Sequence, residues 1–476
     1  MNIIQRIVKN TVALFVAELV AAILSMILAI AIARELGDVI FGKYSFAIYF
    51  VALFTQFADL GYTTLSLREV ARDKSQASKY LSNNLSIRVI LSLLIFAFIV
   101  VTINIMNYPT ETKNIVYLFG ICTLTISLAG AFNVIFRAYE KFEYESAIMI
   151  IVYIARASLC LLALFLGYGL FEISLIFAFS GILTLILFFL VCERKFIKTK
   201  LELDFAFLKN TIKLALPFTI VTTFGFIYVR IDTIMLSIMK GDAVVGWYNA
   251  AATLTYGLRP IPHFFMSALL PVMSYYYMSS KDSLKIAYEK SFKYLLILGL
   301  PIAVGTTLLS DKIIFLLYGS QFSNSVIALQ ILGWDILLIF LYSCLAFLLI
   351  SIDRQVQMAV IAGCTALINI ILNLFLIPSF SYIGAAIATI AAEGFLFLAY
   401  VYVSSRYFHK LHIQKIIVKP IIACAVMGFF VYTFHHFNLI VLIITGCFLY
   451  FAVLYVLKGF SEEDISLLKK VITRKI

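Results

Sequence analysis

Residues 37–47 read Gly37-Asp38-Val39-Ile40-Phe41-Gly42-Lys43-Tyr44-Ser45-Phe46-Ala47, and residues 241–251 read Gly241-Asp242-Ala243-Val244-Val245-Gly246-Trp247-Tyr248-Asn249-Ala250-Ala251. Both fit G-D-x-x-x-G-x-Y-x-x-A at a constant offset of 204, and Lys9 and Lys213 keep the same offset ahead of them. A commonplace turn used twice is the competing explanation, but only one of the five shared letters is aliphatic, in a chain that is 63% hydrophobic. Each copy follows a long apolar run. Reading outward from the two copies therefore divides the chain into repeated halves.

The runs themselves are 11–33, 41–62, 85–106, 115–136, 146–167, 171–191, 212–238, 245–273, 293–315, 326–350, 356–377, 383–403, 417–434 and 438–457. Runs of about 20 residues match a hydrocarbon core of roughly 30 Å at 1.5 Å rise per residue. In lipid the backbone must satisfy its own hydrogen bonds, so such runs become helices. Only 13% of residues are charged and the mean hydropathy is +1.04, too little polar surface for a soluble globule. The expected fold is all-α and integral to the membrane, with about 14 transmembrane helices. Six spans separate the motif copies, so the halves share one orientation and are related by an axis along the membrane normal. Two six-helix lobes follow, 1–191 and 212–403, joined by a cytoplasmic linker at 192–211. Residues 404–476 hold two extra helices and a cytoplasmic tail. Two similar lobes suit rocking-type alternating access.

Orientation comes from the basic residues. Counting Lys and Arg by loop, 29 fall on one side and five on the other, namely Arg34, Lys43, Lys113, Lys240 and Lys312. The positive-inside rule then places both termini in the cytoplasm. The net charge of +12 has the same origin and does not call for nucleic acid. The basic 12–13 loop and tail touch anionic lipid heads as topology anchors. Arg6 and Lys9 precede an apolar run ending in Ala31-Ile32-Ala33, but that run is about twice as long as the core of a signal peptide. It is read as an uncleaved first span. The seven cysteines show no CxxC pair and no metal spacing.

Residues 37–43 also mimic most of a P-loop, but Tyr44 stands where a Mg²⁺-binding Ser or Thr is required, and no strand precedes them. Direct ATP coupling is rejected. Coupling to H⁺, Na⁺ or the membrane potential, or downhill movement, remains. No loop is large enough to house an enzyme active site, so an enzyme is not expected.

Ionisable residues within spans are costly and mark function by default. They are Glu18, Asp59, Arg156, Arg230, Asp232, Arg259, Asp335 and Glu393. Asp59 lies near a span end and is assigned a boundary role. Arg230 and Asp232 are two residues apart, on roughly opposite helix faces, and need not pair. Snorkelling is an alternative for both. Arg156 and Arg259 are near mid-span, where snorkelling is harder. Glu18, Asp335 and Glu393 are either counter-charges or ligands of a coupling cation.

Several segments together resemble the polysaccharide (O-antigen type) flippases of the multidrug/oligosaccharidyl-lipid/polysaccharide exporter superfamily. They are Ala33-Arg34-Glu35-Leu36-Gly37 with residues 41–47, Asp59-Leu60-Gly61 with Arg68-Glu69-Val70-Ala71, and Leu216-Pro217 with residues 230–236. Leu270-Pro271, Asn369 and Asn373 before Ile377-Pro378, and residues 384–389 complete the set. The resemblance implies movement of a polyprenyl-pyrophosphate-linked oligosaccharide from the cytoplasmic to the external leaflet of the cell (plasma) membrane, beside glycan-assembly proteins. A pyrophosphate is a reason to bury arginines, because the guanidinium stays charged and offers planar, bidentate donors. Arg156, Arg230 and Arg259 are accordingly the expected substrate-binding set, in a cationic cavity between the lobes. Asp232 joins Glu18, Asp335 and Glu393 as counter-charge or coupling group. A cation-coupled small-molecule exporter of the multidrug type is the alternative, and would favour an acidic cavity. A membrane-embedded transferase would need an acid/base or metal constellation and sizeable loops, and neither is found.

Overall fold

The computed structural model describes residues 3–59, 62–198, 204, 228, 230–411 and 413–460. Most of the expected linker at 192–211, the seventh span before residue 228, Leu216-Pro217, Lys209, Lys213, Leu60-Gly61 and the tail beyond 460 lie outside the described residues. Those described are helical almost throughout, with no strand among them.

The chain opens with α1 (Ile3–Thr55), α2 (Tyr62–Arg72), α3 (Ala77–Ile105), α4 (Thr110–Ala138), α5 (Phe142–Phe165) and α6 (Leu170–Lys195). Then come α7, helical over 230–240, α8 (Asp242–Tyr256), α9 (Pro260–Ser279), α10 (Lys281–Leu308) and α11 (Ser310–Leu317). The last are α12 (Ser325–Ser351), α13 (Gln355–Tyr407), α14 (Ile413–Thr433) and α15 (Leu439–Val456).

Ten helical stretches among the described residues are long and apolar enough to cross a membrane. Two of them are double: α1 and α13 each run 53 residues, about 80 Å at 1.5 Å per residue, more than twice a bilayer core. Each breaks where two spans were expected to meet. In α1 the break is Gly37, at φ 85° and ψ 175°, a conformation that needs a residue without Cβ. In α13 it is Ser381, at φ 54° and ψ −136°, three residues after Pro378. Counted as two crossings each, these bring the total among the described residues to twelve.

Three local departures from the expected spans have simple causes. The loop expected at 63–84 holds a short amphipathic helix, α2, which buries Tyr62, Leu65 and Val70 and exposes Arg68 and Arg72. The third span starts at Ala77 rather than near 85. The eighth span is split at 257–259, because Pro260 has no N–H to continue the ladder and sits at the start of α9.

By packing the chain divides into two compact units, 1–249 with 373–382, and 250–372 with 383–476. The grouping reflects contacts, whereas the lobes expected from the repeat reflect symmetry, and the two need not share limits. In the first unit Phe132 and Phe136 of α4 pack with Val152 of α5 and Phe188 of α6. Lipid tails are as apolar as leucine, so close backbone approach between small residues drives such packing. A Cβ on Gly181 of α6 would lie 2.7 Å from the Cys122 carbonyl oxygen of α4. In the second unit α10, α12, α14 and α15 share one core, including Phe292, Phe340 and Tyr450. The Tyr450 hydroxyl donates to the Ile297 carbonyl at 2.9 Å.

Candidate functional site

In the second unit three charged residues converge. Arg259 is placed by the α8–α9 break, at the N-cap of α9. Its Nη2 lies 3.2 Å from Glu393 Oε1 of α13 and 3.5 Å from Asp335 Oδ2 of α12. Its guanidinium carbon sits 4.1 Å from the centre of the Tyr256 ring. Both carboxylates are almost fully buried, at 0% and 1% exposure, while Arg259 keeps 21%. One fixed positive charge thus faces two carboxylates. An ionised carboxylate is costly in a low-dielectric interior unless a cation or proton balances it, and Arg259 is a cation both of these share.

In the first unit two arginines rest on aromatic faces. Arg156 of α5 is 9% exposed, with its guanidinium carbon 4.2 Å from the Tyr153 ring centre and 4.7 Å from that of Phe177. Among the described residues no carboxylate forms an ion pair with it. Arg230 of α7 lies over the Tyr49 ring of α1 at 4.1 Å. Cation–π contacts of this kind contribute about 0.5–2 kcal/mol, much less than burial of a lone charge costs. Rings hold a guanidinium in place without neutralising it.

Asp232, two residues beyond Arg230, points elsewhere. It is 1% exposed and accepts hydrogen bonds from the Tyr248 hydroxyl of α8 at 2.7 Å and from Asn373 Nδ2 of α13 at 2.8 Å. Beside it Thr233 donates to Asn249 Oδ1 at 3.1 Å. Glu18 is exposed on α1 and acts electrostatically on Arg137, so it is not gathered with the other candidates. Asp59 pairs with Arg88 of α3, whose side chain is 3% exposed and also donates to Asn84 Oδ1 at 2.7 Å. Among the described residues no group of three His, Cys, Asp or Glu side chains converges to hold a metal ion.

The sequence alone does not single out Arg88, near the expected start of the third span, or the partners Tyr49, Tyr153, Phe177, Tyr248, Tyr256 and Asn373. For Asn373 a signal existed: Asn369 and Asn373, four apart in an apolar run, share a helix face, and both are fully buried.

Fixed cations and buried carboxylates set among helices apolar and long enough to cross a membrane define a multi-pass membrane transporter. Residues 7–277 match the family model described as polysaccharide biosynthesis protein, and the chain belongs to that family. Residues 217–375 also match the MatE model, which fits the wider exporter superfamily. The capsular polysaccharide biosynthesis protein CapF of Staphylococcus aureus is 23% identical over 424 residues, covering 84% of this chain and 100% of that protein. Agl15 of Haloferax volcanii, a probable low-salt glycan biosynthesis flippase, is 26% identical over 168 residues, 35% of each chain. Among solved structures, the lipid II flippase MurJ in an inward closed conformation matches with a TM-score of 0.78 at 17% identity. The match covers 95% of this chain and 99% of that one, which shows a shared fold.

Proposed function

We propose that this chain is a flippase carrying a polyprenyl-pyrophosphate-linked oligosaccharide from the cytoplasmic to the external leaflet by alternating access. The observation that carries this reading is Arg156. A permanent cation sits in an apolar span, backed by two aromatic rings and by no carboxylate among the described residues. Such a group suits a ligand that brings its own negative charge. Phosphate oxygens match the guanidinium fork, and sugars can stack on the neighbouring rings. We also propose Arg230, whose guanidinium lies over the Tyr49 ring, and Arg259 as phosphate contacts. CapF, Agl15 and MurJ support the substrate class through what their names say of those proteins.

Energy coupling follows from the charge balance at Arg259. Two carboxylates hold its guanidinium, so an anion competes with them. Binding of H⁺ or Na⁺ by Asp335 and Glu393 would release Arg259 to the phosphates, and loss of the ion would return it. Asp232 is the second candidate for the coupling ion, and Glu18 remains a possible distant counter-charge. The distribution of Lys and Arg supports a cytoplasmic location for both termini, and the cell membrane, glycan-assembly proteins and anionic lipids are the proposed setting. The proposed lobes are 1–191 and 212–403, with 192–211 as linker and 404–476 as an appendix.

The two buried carboxylates at Arg259 favour the alternative, a cation-coupled small-molecule exporter. Complementation of flippase-deficient cells with defined lipid-linked sugars separates the two. Restored surface glycan with no change in drug tolerance supports the flippase. Drug efflux without glycan export would replace it with the exporter.

A further inference from the structure

The repeated G-D-x-x-x-G motif has no part in the charge chemistry above, yet its two copies meet. Gly37 and Gly241 share the same unusual backbone, both at φ 85°. Five residues on, Gly42 and Gly246 are both buried. A Cβ on Gly42 would overlap the Asp242 carbonyl oxygen and lie 2.6 Å from its carbon. A Cβ on Gly246 would overlap the Asp38 carbonyl oxygen and lie 2.9 Å from its carbon. The contact is reciprocal: the second glycine of each copy receives the aspartate backbone of the other. Neither side can accept a methyl group without moving main chain.

Side chains close around this crossing. Trp247 Nε1 donates to Asp38 Oδ2 at 2.7 Å. Lys43, the residue equivalent to Trp247, pairs with Glu111 at 2.5 Å, and both act electrostatically on Asp242. Tyr108 and Ser237 share a hydrogen bond at 2.8 Å, and Lys240 Nζ donates to the Pro378 carbonyl at 2.8 Å. These contacts join the Gly37 break of α1, the start of α4, the end of α7, the start of α8 and the Pro378 segment of α13. With both termini cytoplasmic, all of them lie at the external end.

We infer that the paired motifs are the latch of the external gate, closed in this structure and parted whenever the protein opens outward. Glycine-to-carbonyl packing suits that role. In lipid it gains no hydrophobic driving force and rests on close fit, so it holds the helix ends together yet can separate. Because the contact is reciprocal, one movement breaks both halves. The inference rests on alternating access and on the proposed orientation, not on the identity of the substrate.

The test reads gate opening separately from transport. In a background with Cys364→Ser and Cys447→Ser, Ser45→Cys places a thiol one turn deeper than Gly42 on the same helix face, at a residue 4% exposed. A membrane-impermeant maleimide added outside intact cells should react slowly. Gly42→Ala or Gly246→Ala should speed labelling about tenfold, a population shift of about 1.4 kcal/mol. Parent-like labelling in both variants, with parent-like melting temperatures, would overturn the latch. Should the alanine variants fail to fold, Asp38→Cys with Trp247→Cys decides. Bridging that pair with a reducible bifunctional thiosulfonate should stop transport, and reduction should restore it. Continued transport while bridged overturns the inference. If no lipid-linked sugar moves in any variant but labelling still responds to the glycines, the substrate reading fails and the latch stands.

Discussion

Replacing Arg259 with alanine separates a structural role from a substrate role. In the folded protein its Nη2 lies 3.2 Å from Glu393 and 3.5 Å from Asp335, both nearly inaccessible. At an effective dielectric of 20 each contact corresponds to a Coulomb attraction of about 5 kcal/mol before desolvation is counted. Removing the cation takes a shared partner from two buried carboxylates, and breaking a buried pair from one side costs about 3–5 kcal/mol. Arg259→Ala should therefore lower the melting temperature in detergent by several degrees and abolish glycan export. Adding Asp335→Asn and Glu393→Gln removes the orphaned charges and should restore most of the stability, because the defect is an uncompensated charge and not a cavity. Export should stay absent in the triple variant if Arg259 binds phosphate. Thermal melts and complementation on the same set of variants decide the matter. Unchanged stability in the single variant would refute the charge-balance reasoning, and export by the triple variant would remove Arg259 from the substrate site.

Arg156 should behave in the opposite way. Arg156→Leu strands no carboxylate among the described residues, so the melting temperature should hold or rise while export is lost; Arg156→Lys should recover only part, since it keeps charge but loses the fork. Full export by Arg156→Leu would end the claim that it meets the pyrophosphate. Arg88→Ala should cost about 3 kcal/mol, the lower end for a broken buried pair, because its partner Asp59 keeps 38% exposure; an Asp59→Asn, Arg88→Leu double variant melting as low as the single one would contradict this. A reporter fused after Ile476 should be active only in the cytoplasm, and activity confined to the outside would sink the orientation.

Much of the fold was legible because hydropathy and length are local properties. Gly37 announced its own break, and Pro378 foretold the one at Ser381. Where the reading slipped, the signal was mixed. The α2 segment is too short and too charged to resemble a span, and only its buried face of Leu65 and Val70 marks it as a helix packed on the protein. Starting α3 at 85 instead of Ala77 had a chemical consequence. It left Arg88 near a loop, where a basic residue is a topology signal, when it lies three turns inside a helix and holds Asp59.

The site shows the same division more sharply. That arginines in apolar spans matter is legible from cost alone, since no sequence buries a permanent charge without compensation. What compensates them is not legible. Tyr49, Tyr153, Phe177 and Tyr256 are four rings among 27 tyrosines and 43 phenylalanines, and nothing in their spacing distinguishes them. Asn373 reaches Asp232 across 141 residues of chain. Yet the kind of compensation is what assigns a role. Arg259 is opposed by two carboxylates and is neutralised before any ligand arrives, so on the proposed function phosphate binding there is exchanged against a proton or a cation. Arg156 is supported by rings, which orient a charge but do not cancel it, and an anion can bind there without displacing anything. Two arginines that look alike in the sequence therefore take different parts in the proposed cycle: Arg156 as standing attraction for the pyrophosphate, and Arg259 as the contact that coupling turns on and off.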